Sequence, residues 1–125
     1  MYLASKIMKL ETSLTNDDFH PETGTILVVS DNGVETIERW EHPTVTQPSQ
    51  SAIDGISDAT ITAEQNIAAL RAERNAKLAE TDWEIVMHKE KGTNIPAALK
   101  TYRQALRDIT DTYTSLDDVV WPEKP

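Results

Sequence analysis

Ile95, Leu99, Tyr102, Leu106 and Ile109 follow one another at intervals of four, three, four and three residues. That spacing puts five large side chains on one stripe of an α-helix and is incompatible with the two-residue alternation of a half-buried strand. Pro96 stands where the helix should open, in a first turn that loses nothing by lacking an N–H. A helix that is apolar on one side needs a second surface to cover it. The preceding stretch offers one. Thr62-Ala63-Glu64-Gln65 reads as a capping box, and Ile67, Leu70, Leu78 and Ile85 then fall near one stripe, interrupted by Arg74. This predicts a long helix reaching Lys91 and closed by Gly92, with Asp82-Trp83 as the place for a kink or break. The short connection between the two helices makes them an antiparallel hairpin. Beyond it, Pro122 and Pro125 stop helix and ladder alike, so the chain ends in an extended tail.

The other half has a different period. Thr25 to Ser30 and Val34 to Trp40 are rich in β-branched residues and are separated by Asp31-Asn32-Gly33. Asn-Gly supplies the positive φ angles of a tight hairpin turn. Two strands alone are marginal in water, and Lys6 to Glu11 reads as a third. Asn16 to Gly24 is rich in turn formers. Residues 43–60 contain Pro43, Pro48, Gly55 and many Ser, Thr and Gln without a sustained apolar period; they read as a linker, with at most one helical turn at Ser51 to Ile56. The fold class is therefore α+β: a small antiparallel β module over 1–42, a linker over 43–60, and a helical module over 61–125.

Charge and composition exclude several functions. The chain carries 12 Lys and Arg against 21 Asp and Glu, a net charge of −9. That is the wrong sign for neutralising phosphates or anionic lipid, so neither nucleic acid nor membrane is an expected partner. No apolar run approaches the roughly 20 residues of a membrane-spanning helix. With no secretory signal visible, the product is expected in the cytoplasm. There is no cysteine, which removes disulfides, thiolate ligands and Cys nucleophiles. His20, His42 and His88 lack zinc-ligand spacing, the four glycines are too dispersed to cradle a phosphate, and no serine sits in a nucleophile elbow. Pairs such as Asp17/Asp18 and Asp117/Asp118 read as solvated surface. No catalytic residue, metal ligand or cofactor is assigned, and an enzyme is not expected.

A binding protein fits better. Hydrophobic residues are 38% of the chain and aromatics 6%, a thin core that association with another chain would supplement. The helical region also concentrates cations: residues 60–125 hold nine basic and eleven acidic groups, against three and ten in residues 1–59. Arg103 and Arg107, spaced i, i+4, flank the apolar stripe. Either they form intramolecular ion pairs, or their planar forks grip carboxylates and carbonyls of a partner. Trp83, Tyr102 and Trp121 belong to the residue types enriched in small cores and at interface hot spots alike. Tyr102 lies on the stripe and suits the core. Trp121, followed by Pro122, docks on its own helices or on another chain. Trp83, Tyr102, Arg103, Arg107, Trp121 and Pro122 are thus the candidate partner-binding set.

Three ordered motifs carry a resemblance. Arg71-Ala-Glu-Arg-Asn-Ala-Lys-Leu-Ala-Glu-Thr-Asp-Trp83, Tyr102-Arg-Gln-Ala-Leu-Arg-Asp-Ile109 and Val120-Trp-Pro-Glu-Lys-Pro125 together resemble the phage tail assembly chaperone domain, over about residues 65–125. The first half is similar in layout to tail fibre assembly proteins, whose hairpin ends in Ile-x-x-Trp before a proline-containing linker, as Ile37 to Pro48 does. The resemblance implies a non-enzymatic protein of a tailed phage that acts on a tail fibre or other tail component; the expected function is to bind a tail fibre protein and assist its folding and trimerisation in the host cytoplasm, with threefold engagement because fibres are usually trimers. The alternative it leaves open is a permanent structural subunit of the fibre in the virion.

Overall fold

The computed structural model describes residues 1–125, which divide into two compact units, Met1–Thr62 and Ala63–Pro125. In the first, strands β1 (Ile26–Asp31) and β2 (Val34–Trp40) pair antiparallel across the expected turn, where Asn32 and Gly33 have φ of 51° and 81°. The register runs from Ile26 opposite Trp40 to Asp31 opposite Val34. Leu27 faces Arg39 and Val28 faces Ile37, so Glu38 is an extra residue on β2 and a bulge interrupts the ladder.

The hairpin is not completed by a third strand. Residues Leu3–Leu10, which include most of the segment read as one, form helix α1. The reason lies just upstream: Leu3 and Ile7 are i, i+4, and both are buried, whereas alternation fails at the adjacent pair Ile7-Met8. α1 supplies the cover that a two-stranded ribbon lacks. Leu3, Ile7, Leu14, Ile26 and Ile53 make one core, with Phe19, Val28, Ile37 and Trp40 packed against it. Glu35 on β2 ties the helix start to the sheet, its Oε1 accepting from the Leu3 N–H (3.2 Å) and lying 3.1 Å from the terminal ammonium of Met1. His20 and His42 organise the turns that follow them, Nδ1 of His42 accepting from Val45 N–H at 3.0 Å and that of His20 from Glu22 N–H at 3.3 Å. The single turn expected near Ser51 forms as α2 (Gln50–Asp54), capped by Ser49 Oγ accepting from Ala52 N–H, and brings Ile53 into the core.

Helix α3 runs without a break from Asp58 to Lys91. It starts one turn before the expected capping box, because Ser57 Oγ accepts from the Thr60 N–H at 3.1 Å and does the capping itself. No break occurs at Asp82-Trp83. The helix ends as predicted at Gly92, whose φ of 66° lets its N–H reach Lys89 O while Thr93 N–H reaches His88 O. Pro96 takes the cap position (φ −54°, ψ 138°), and α4 follows over Ala97–Arg107, then one turn, α5, over Ile109–Thr112. Leu99, Tyr102 and Leu106 are buried against Leu78, Ile85, Ile95 and Trp121, which makes α3 and α4 the predicted antiparallel hairpin. After Thr112 the chain has neither helix nor strand.

Candidate partner-binding surfaces

The helical hairpin is locked by one polar contact in its core. Arg103, on α4, donates from Nη1 to Leu78 O (2.8 Å) and Thr81 Oγ1 (2.7 Å) on α3, while Nη2 lies 2.9 Å from Asp82 Oδ1. Thr81 is fully buried, and its hydroxyl in turn donates to Leu78 O. A guanidinium fork is suited to this: it reaches a carbonyl, a hydroxyl and a carboxylate at once. Tyr102 beside it is 5% exposed; burial, and secondarily the charge of Glu80, hold its phenol above the ordinary value, so it stays neutral.

Trp121 also lies against the hairpin. Its ring packs on the Leu99, Tyr102 and Leu106 core, Lys77 Nζ sits 5.0 Å from the ring centroid, and Lys124 Nζ reaches Glu80 at 3.9 Å. Between its two earlier readings, the tail docks on its own helices. Pro122 is half-buried beside it. Three of the six candidate residues, Tyr102, Arg103 and Trp121, are therefore drawn together by the hairpin itself.

Two surfaces remain turned outward. Trp83 is 61% exposed on α3, and Val86, one turn on, is 54% exposed. At 100° per residue, Ala68, Ala72, Ala76, Ala79, Trp83 and Val86 fall in a sector of about 80°, extending about 27 Å along the axis. All six are exposed. Leu70, Thr81 and Ile85 occupy the opposite side. α3 is thus apolar on two faces, one spent on the hairpin and one uncovered. Val86 and the four alanines are missing from the sequence-derived set; the intervals of four, four, three, four and three that join them to Trp83 are the legible signal.

The second surface is an open groove of about 800 Å³ lined by Ile85, Ile95 and Ala105 together with Lys100, Arg103 and Arg107. Arg107 is exposed and held by Gln104, whose Oε1 accepts from Nη2 at 2.8 Å and from Nε at 3.3 Å. Trp83 and Arg107 accordingly face solvent, and Tyr102, Arg103 and Trp121 serve the hairpin.

Residues 67–125 match the model of a family described as phage tail assembly chaperone protein. The matched span contains the hairpin from Ile67 onward, both outward surfaces and the docked tail. Neither the comparison with curated proteins nor that with solved structures gives a match.

Proposed function

We propose that the chain, whose residues 67–125 belong to the phage tail assembly chaperone family, acts by binding a tail fibre protein and holding it while it folds and trimerises. Family membership supplies the class, a chaperone of phage tail assembly; the fibre as client, the threefold engagement and the host cytoplasm as the place of action are our reading. One observation carries it: an unbroken apolar face on α3 that includes a tryptophan 61% exposed. Contiguous apolar surface of this kind marks a protein contact, and tryptophan is the residue type most often found at interface hot spots. The face is built on a continuous helix, so it is ordered before the client arrives and little conformational entropy is lost on binding.

A fibre chain awaiting its two partners exposes unpaired edges and apolar patches, and covering these lowers aggregation of the intermediate. One chaperone on each fibre chain gives threefold engagement. Binding alone accounts for this action, so the protein works without catalysing a reaction.

The test is co-expression with the tail fibre protein encoded beside it, followed by size-exclusion chromatography with light scattering. The expected result is a soluble fibre trimer obtained only in the presence of this chain. Trp83→Ala should abolish that rescue and Trp83→Phe preserve most of it. A fibre equally soluble without the chain, or rescued fully by Trp83→Ala, overturns the reading. Co-elution in integer copies that persists in purified particles would instead identify a permanent fibre subunit.

A further inference from the structure

The groove beside α4 carries two cations that no carboxylate of the chain pairs, and we infer that it takes an acidic segment of the tail protein, with two carboxylates on either side of an aliphatic residue. The inference rests on the reading that the helical unit holds a tail protein, but it concerns a surface other than the Trp83 face. Within the groove, Arg103 is already engaged by Asp82, Thr81 and Leu78. Asp108, the acid in the lining, is hydrogen-bonded through both oxygens to Gln104 Nε2, at 2.9 and 3.1 Å, and pairs with neither cation, so its charge offsets one of them and the groove keeps a positive excess. The backbone N–H of Lys100 donates to Pro96 O at 3.1 Å, while its side-chain ammonium makes no hydrogen bond or ion pair. Arg107 is gripped only by the neutral amide of Gln104, which aims the guanidinium without cancelling its charge.

Lys100 and Arg107 are two turns apart on one side of α4, about 10.5 Å along the axis. Ile85, Ile95 and Ala105 give the same groove its apolar lining. In a chain with 21 acidic residues, two cations without a carboxylate partner at an apolar groove are complementary to a carboxylate-bearing, apolar-centred peptide. The apolar part supplies burial, and the carboxylates fix register and sign.

The test is titration of the full ¹⁵N-labelled chain with two synthetic 12-residue peptides that differ only in carrying Glu or Gln at two positions seven apart, flanking a central Leu-Leu. The Glu peptide should bind at least tenfold more tightly than the Gln peptide in low salt, with shifts at Ile85, Ile95, Thr101 and Ala105. Lys100→Gln with Arg107→Gln should weaken it at least tenfold. Arg71→Gln with Lys89→Gln removes the same charge elsewhere on the unit and should leave the affinity within twofold. All four positions are exposed, so the helices are expected to form in both double variants, which far-UV circular dichroism checks. Equal binding of the two peptides, shifts confined to other surfaces, or equal weakening by both double variants overturns the inference. These results are independent of fibre rescue: selective peptide binding without rescue leaves the groove assignment standing and removes the fibre, whereas rescue with indiscriminate peptide binding does the reverse.

Discussion

Arg103 and Thr81 are predicted to be strongly coupled, and the size of the coupling follows from the contacts. Arg103→Met keeps the aliphatic stem but deletes two charged hydrogen bonds, each worth about 1.5–3 kcal/mol when shielded from water. The guanidinium side chain is 16% exposed, so water recovers part of this; Asp82, 61% exposed, adds about 0–1 kcal/mol. The net loss should be about 2–4 kcal/mol. Thr81→Val removes one acceptor of the fork and leaves Leu78 O and Asp82 in place, at about 1–1.5 kcal/mol. Because the Thr81 bond is lost in either single variant, the double variant should be more stable than the sum by about 1–1.5 kcal/mol. Urea unfolding, followed by the fluorescence of Trp121 with Trp40 and Trp83 replaced by Phe throughout, reads the helical unit alone. A coupling below about 0.5 kcal/mol would refute the view that this contact locks α4 to α3.

Leu106 is fully buried in the same core, so Leu106→Ala should cost about 3–5 kcal/mol in the same urea assay, with loss of the protected environment of Trp121. Gly92→Ala should cost about 1–2 kcal/mol through its backbone alone, since φ is 66° while a Cβ there would meet no atom within 4 Å; thermal melts at 222 nm would register it. In the first unit, the hydrogen bond from Lys6 at 2.7 Å, with that ammonium's charge, holds the Asp58 carboxyl below the ordinary carboxylate range. A depressed folded-state value means that the contribution to stability is complete above the ordinary value and disappears as pH falls through the depressed one. Lys6→Met should return the Asp58 titration, followed by carboxyl ¹³C shifts, to the ordinary value; no upward movement would exclude Lys6 as the cause.

Local signals were legible wherever a feature is encoded within one turn of chain. Asn32-Gly33 specified the hairpin turn because few residues tolerate positive φ, and Gly92 specified the end of α3 for the same reason. The stripe from Ile95 to Ile109 announced α4 and its buried side because a 3.6-residue period survives in sequence without any knowledge of what it packs on. The motifs around Trp83, Tyr102 and Trp121 pointed to the family whose model matches residues 67–125.

What depended on contacts distant in sequence was not legible. Whether residues near Ile7 become strand or helix turned on the core they share with Leu14, Ile26 and Ile53. Whether Arg103 faces a partner or the neighbouring helix turned on Thr81 and Leu78, more than 20 residues away, and a guanidinium's charge is the same in either setting. The two apolar faces of α3 are both written in the chain, but they blur each other's period; only when α4 covers one does the other, with Trp83 and Val86 at its end, stand out as surface left for another molecule. Propensity and period act over a few residues, whereas burial is a property of the assembled hairpin, and the choice of exposed face belongs to burial.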